Sequence, residues 1–423
     1  MVSYKKVLNS QITKILIFAV SLWLVFNAIF FLGTHPTQLV DSLFQIVVRF
    51  VWFNVANETL RDFLVYGFLT GLFGFLIYVP NIAILFLMAN FFHATGITGK
   101  AAEIADPIFR RLGLNGYSFP SLFFGFGCSV NAIHCAETSI EDRKNRLVTM
   151  LISPFWSCGA KFAVFVMLIS VVFEPRYAGS ILFLLYILGI SFSIFSAWLF
   201  RKILKLKKKA CVKPVEPTVL KRPDVPNIIN KTFKDSWVFM LKAGSVIVAA
   251  AILIWALSYW PGYPKENYAQ LVSYARENNV HVPPRISLSF YNSYMSRFGK
   301  TIEPVFRPLG QNWRTGVALI NGLAGNKIIL SSMVTFYGIE YGPESKITLL
   351  DAVKADNIFT VFSAFAMMLF VLLRGSCIAS VAMFHNAFKS RKLTALFFVY
   401  PVISAWIVSV AFYQTSQLIR GIF

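Results

Sequence analysis

Charged residues are scarce in this 423-residue chain, at 14%, where a soluble domain carries about 25%. That scarcity excludes a water-soluble core wrapped in a charged surface. Cysteine is scarce too: five in all, four of them in apolar stretches, which excludes a disulfide framework and reads as free thiols. A nucleotide loop is missing. The stretch Ala94-Thr95-Gly96-Ile97-Thr98-Gly99-Lys100-Ala101 approaches a phosphate-binding loop, but Ala94 replaces its first glycine and Ala101 its hydroxyl residue. No H-E-x-x-H and no G-x-S-x-G occurs. Nucleotide hydrolysis is therefore not assigned, no permanently bound cofactor is expected, and the chain is not read as an enzyme.

What the chain has is apolar length. Hydrophobic residues make up 57% of it, material for roughly ten stretches of about 20 residues, the length that crosses a ~30 Å hydrocarbon layer. Apolar runs fall at 15–32, 64–92, 118–138, 147–173, 180–200, 236–260, 313–337, 358–384 and 393–412. The first follows Lys5, Lys6 and Lys14, is too long for a signal peptide and lacks a cleavage site, so it reads as a span with the amino terminus inside.

Basic residues outnumber acidic ones, 40 to 19, which points to the positive-inside bias of membrane proteins and not to nucleic acid. The stretch 201–235 holds eleven Lys/Arg against three acids, and its four prolines argue against a continuous helix; it is placed in the cytoplasm. It would land outside if every run crossed. The conflict disappears if 118–138, interrupted by FFGFGC, enters the membrane and returns.

A repeat supports that reading. Leu112-Gly113-x-Asn115 followed by Gly125 recurs as Leu309-Gly310-x-Asn312 followed by Gly322, at an offset of 197. Downstream, Ser157-Cys158-x-Ala160 echoes Ser376-Cys377-x-Ala379 at an offset of 219. The expected fold is an all-α polytopic integral membrane protein. Two inverted gate repeats, each of three spans plus a re-entrant broken helix, follow one N-terminal span. The division is 1–63 for the N-terminal span and external segment, 64–200 for the first repeat, 201–235 for the basic linker and 236–423 for the second repeat. The last includes 261–312 as a solvated external loop.

Chemistry is expected at the helix breaks, because unpaired backbone at membrane depth is tolerated only inside protein or beside a water-filled cavity. Pro80, Pro120, Pro154 and Gly159 also mark such breaks. Gly125, Gly127, Ser129, Asn131, Ser157, Gly322, Gly325, Asn326, Lys327 and Ser376 are the candidate pathway residues. Cys128, Cys158 and Cys377 add soft sulfur, which favours transition metals over Na⁺, Mg²⁺ or Ca²⁺, and His134, near the first break, is a further candidate ligand. Small residues at these positions would equally allow close helix packing.

The runs GFGCSVNAI (125–133), SPFWSCGAKFAVF (153–165), YILGI (186–190), KAGSVIVAAAILIWALS (242–258) and SYMSRFGKTIEPVFRPLGQNWRTGVALINGLAG (293–325) resemble the membrane portion of the ferrous iron transport protein B (FeoB) family. The resemblance covers nearly the whole chain in order. It implies Fe²⁺ as the transported substrate, a bacterial inner-membrane location and gate cysteines at Cys128, Cys158 and Cys377. It also implies control by a GTPase. None is encoded here, so a separate cytoplasmic GTPase or small regulatory protein is the expected partner, besides membrane lipid; a homo-oligomer stays open. Where the family reads GCNVPA this chain carries Asn131 for the proline, and Gly325-Asn326-Lys327 stands where it reads A-K-E. Lys327 keeps an alternative open: a diverged relative that moves a non-cation substrate or acts only with a separate partner.

Overall fold

In hydrocarbon every backbone N–H and C=O has to be paired within its own segment, which turns long apolar runs into helices. The computed structural model describes residues 36–77, 79–204, 222–262, 267, 292–326, 328–336, 359–375 and 377–422, and no strand occurs among them. The expected first span, Lys327, Ser376 and most of the basic linker lie outside the described residues. Five helical stretches are long and apolar enough to cross a membrane: Thr59–Thr95, Arg143–Val172, Ala178–Ile203, Val361–Phe388 and Arg391–Arg420. They coincide with five of the apolar runs, and the protein is an all-α polytopic membrane protein.

After a helix over 36–54 and a helical segment from Glu58 to Leu76, the order is α1 (Val79–Thr95), α2 (Ile97–Arg111), α3 (Ser118–Phe124), α4 (Ser129–Ser139), α5 (Arg143–Ile152), α6 (Gly159–Val172) and α7 (Ala178–Ile203). The second half runs α8 (Val225–Tyr259), α9 (Tyr294–Phe306), α10 (Trp313–Asn321), α11 (Ile328–Phe336), α12 (Val361–Leu373), α13 (Ile378–Phe388) and α14 (Arg391–Ile422). In the apolar stretch of Val361–Phe388 71% is buried within protein, against 17% for Ala178–Ile203. The first is thus the central element and the second faces lipid. Leu396, Val399, Ile403 and Ile407 are likewise exposed along one stripe of α14, at the three-to-four-residue spacing of a single helix face.

Both copies of the Leu-Gly-x-Asn pattern fall on the same local structure. Gly113 and Gly310 stop α2 and the turn after α9 with φ of 76° and 71°, and Asn115 and Asn312 each accept a backbone N–H at the start of the next helix. Gly125 and Gly322 close α3 and α10. The helices around these breaks hold seven, eleven, nine and nine residues, and at ~1.5 Å per residue none crosses ~30 Å alone.

Several expectations change. The candidate spans over the runs 147–173 and 358–384 are each built of two helices, α5 with α6 and α12 with α13. Pro120 does not break α3. It occupies the first turn, where a missing N–H costs nothing. The basic linker yields to helix before 235: Asp224 accepts the Asn227 N–H and Pro226 sits at the start of α8, again a position proline favours. The loop expected at 261–312 contains α9, whose Met295, Gly299 and Phe306 are buried on one face. Its mixed charges belong to the other face, and α9 is the counterpart of α2, with Pro304 and Pro107 inside them.

Hydroxyl and amide pairs join helices where lipid offers no competing partner. Ser118 and Thr149 stand 2.7 Å apart, Ser196 and Tyr400 2.7 Å, and Trp156 Nε1 donates to Ser193 Oγ at 3.0 Å. Gln311 Nε2 reaches the carbonyl of Ser363 at 2.9 Å.

Gly310→Ala is expected to lower the thermal midpoint of the detergent-purified chain more than Gly113→Ala. Either Cβ enters left-handed backbone, at about 1–2 kcal/mol. At 113 it meets the flexible Arg201 side chain at 2.8 Å, whereas at 310 it meets the Tyr413 ring at 2.5 Å. Equal midpoints would show that the ring yields as readily as the arginine.

Candidate functional site

The site is built from four helix breaks. At the first, the N–H groups of Gly125, Phe126, Gly127 and Cys128 turn back to the carbonyls of Leu122, Phe123 and Phe124 at 2.8–3.1 Å. The last turn of α3 thereby tightens and Cys128 is left extended, with φ −157° and ψ 128°. Cys158 and Cys377 are extended as well and stand immediately before α6 and α13. Three helices therefore begin at a cysteine, a position that usually selects Ser, Thr, Asp or Asn for capping. The N–H groups of Val130 and Asn131 turn toward the Cys128 sulfur, whereas Cys158 and Cys377 make no capping bond, so all three sulfurs stand beside helix N-termini.

The breaks lie together. Cys128 is within electrostatic range of both Cys158 and Cys377. It shares an apolar cluster of Phe75, Phe86, Val130, Phe239 and Ala379 with Cys377. Asn326 Nδ2 donates to Cys158 Sγ at 3.6 Å, and the N–H of Ile378 donates to the carbonyl of Leu323 at 3.1 Å, joining the break after α10 to the one before α13. Among the described residues no three His, Cys, Asp or Glu side chains are arranged to hold one metal ion. The thiols surround a region without converging on a point.

Two cations that sequence reasoning passed over hold this region. Lys161 and Arg374 are 0% and 2% exposed, and both lie within electrostatic range of Cys158 and Cys377. Lys161 Nζ donates to the carbonyls of Pro154 at 2.9 Å and Leu372 at 2.7 Å. Arg374 donates to the carbonyls of Leu319 at 2.7 Å and Gly322 at 2.6 Å, and to Asn326 Oδ1. These carbonyls end helices and have lost their in-helix donors, so the cations replace the missing turn and offset the negative helix end. Gly322 is required here, since a Cβ would meet Ile329 and, at 2.8 Å, the guanidinium of Arg374. The signal was visible in the sequence: a lone Lys and a lone Arg each within four residues of a Ser-Cys pair in an apolar run, where charge marks function by default.

Of the candidate residues, Gly125, Gly127, Cys128, Ser129, Cys158, Ser157, Gly322, Gly325, Asn326 and Cys377 fall at the breaks. Asn131, one turn into α4, is 1% exposed, and neither atom of its amide has a hydrogen-bond partner. His134 sits apart, 3.5 Å from Asp235 of α8. His385 is engaged with Thr394 at 2.9 Å.

Arg374→Met is expected to destabilise the chain by about 3 kcal/mol or more, since it strands three buried acceptors at ~1–3 kcal/mol each. Arg374→Lys should recover only part, because an ammonium lacks the planar fork that reaches separated acceptors. Unfolding curves in detergent would decide, and equal stability of the Met and native chains would remove the clamp role.

A family model described as Gate, nucleoside recognition, matches residues 75–171 and 240–391. A Porphyromonas gingivalis protein named Fe(2+) transport protein A/Fe(2+) transporter FeoB fusion protein is 31% identical, over 95% of this chain and 50% of its own length. The Fe(2+) transporter FeoB of Campylobacter jejuni is 32% identical over 93% of this chain and 62% of its own, and that of Methanocaldococcus jannaschii 30% over 94% and 56%. The chain thus spans between half and about three-fifths of these curated relatives. No solved structure matches it. With the matched segments covering both sets of helix breaks, the chain belongs to the Gate family and, within it, sides with the FeoB proteins.

Proposed function

We propose that the chain moves ferrous iron across a membrane as a permease, by rocking one gate repeat against the other. The observation that carries this reading is the gathering of Cys128, Cys158 and Cys377 at three helix breaks, within electrostatic range of one another and with Asn326 on Cys158. Sulfur suits a soft or borderline metal, and a ferrous ion is such a substrate. The names of the relatives point the same way.

The charges suggest how loading is limited. Lys161 and Arg374 are permanent neighbours of the thiols, so a divalent ion entering among neutral thiols meets repulsion. Thiol ligands bind as thiolates, and metal binding accordingly releases protons. Three thiolates offset the two protein cations and leave one negative charge toward the ion. Rocking then brings together thiols that the present arrangement holds apart, with Asn131, Ser129 and Asn326 as oxygen donors.

The short helix pairs α3–α4 and α10–α11 serve as the re-entrant segments, in inverted orientation. The end of the molecule where α7 leaves and α8 begins faces the cytoplasm, beside the basic stretch. The location is the inner membrane of a bacterium, with a GTPase or small regulatory protein acting from the cytoplasm. The Porphyromonas relative, whose name joins two iron-transport proteins, is the precedent for such a partner.

Anaerobic uptake of radioactive Fe²⁺ into proteoliposomes tests this, with Mn²⁺, Zn²⁺ and empty vesicles alongside. Saturable Fe²⁺ entry is expected, and Cys128→Ser should reduce it by about tenfold or more, the scale on which loss of a metal-site group acts. Entry no faster than into empty vesicles, with the protein folded, would overturn the permease; unchanged entry in Cys128→Ser would overturn the ligand role alone.

A further inference from the structure

Asn131 and His134, three apart on α4, lie on one helix face, and Cys128 stands in extended backbone just before the helix begins. Five steps of ~1.5 Å put His134 about 7.5 Å along the axis from the start of α4, where Cys128 stands. The step between them is Asn131, a buried amide with no partner for either atom. Such a group costs free energy unless something binds it.

At the far end of the face, three helices bring polar groups together. His134 Nε2 lies 3.5 Å from Asp235 Oδ2, too long for a strong hydrogen bond. It does match the ~3.4 Å between two donors that share one tetrahedral ion at ~2.1 Å each. From α1, Asn90 Nδ2 donates to the same carboxylate oxygen at 3.0 Å and to Thr232 Oγ1 at 3.3 Å. Turning the Asn90 amide over would present its oxygen instead. Two aromatic rings lie between this cluster and the thiols: Phe86 meets His134 edge-on at 5.3 Å and Phe239 at 6.1 Å.

We propose that His134, Asp235, Asn90 and Thr232 form a second station for a divalent transition-metal cation, reached from the thiols past Asn131 and the Phe86 and Phe239 rings. The proposal rests on the permease reading and adds to it a site of different chemistry. Imidazole, carboxylate and amide oxygen are harder donors than thiolate. An ion passed from sulfur to this station is held less tightly, and conduction needs each site to be weak enough to leave. Only two of the four donors are ionisable or imidazole groups, which suits transit more than storage. Lys231, exposed and one turn nearer the start of α8, is within electrostatic range of Asp235 and of His93. It balances the Asp235 carboxylate, and as an exposed side chain it can swing outward when a cation binds.

Anaerobic titration of the purified full chain with Co²⁺ in detergent tests the station, reading both the amount bound and the sulfur-to-cobalt charge-transfer absorption. Two bound ions are expected, only one of them with the sulfur band. Asp235→Asn and, separately, His134→Gln should weaken the event without the band by about tenfold or more and leave the band intact, with gel filtration confirming that each variant is folded. Cys128→Ser should do the reverse. If both Asp235→Asn and His134→Gln bind as the native chain does, the station is overturned. Loss of the sulfur band alone from the native chain would instead overturn the cysteine assignment and leave the station supported, so the two readings fail separately.

Discussion

A helix broken at membrane depth leaves carbonyls and N–H groups with no water to receive them, and the architecture turns on how those groups are paired. Here the negative ends of the broken helices are met by Lys161 and Arg374, while three of the positive ends begin at a cysteine. The division follows the helix dipole. It also places two fixed cations and three ionisable thiols in one region, so the elements that hold the fold together set the charge of the site.

The same arrangement explains why the second break carries Gly322 and Asn326. The guanidinium of Arg374 fills the space a side chain at 322 would occupy, and Asn326 links it onward to Cys158. Substituting at one of these positions therefore reaches the others through direct contact. Cys128 and Cys377, by contrast, rest against the aromatic cluster of Phe75, Phe86 and Phe239, so the thiols have unlike surroundings: Cys158 polar, the other two apolar on one side.

Much of this was legible in the sequence, because apolar runs and a repeated Leu-Gly-x-Asn pattern are local signals. Five runs coincide with stretches long and apolar enough to cross a membrane, two of them built from a pair of helices, and both copies of Leu-Gly-x-Asn land on matching turns. Other features depend on partners far along the chain. Nothing in the run 358–384 says that Arg374 reaches back to Leu319, and nothing near His134 names Asp235. Helix α9 stayed hidden for another reason: its apolar face is only a few residues wide, and Arg297, Lys300 and Glu303 on the other faces gave the segment the look of a solvated loop. Prolines misled at 120 and 226, where they begin helices.

The contact between Lys161 and the carbonyl of Leu372 has a mechanical consequence. It ties the first half of the chain to the central helix of the second at one depth, and Ser196 with Tyr400 ties the same two halves nearby. Displacement there would strip a fully buried ammonium of its acceptors. Any rocking of the halves must turn about this bond as a pivot, with its amplitude growing toward the ends of the helices.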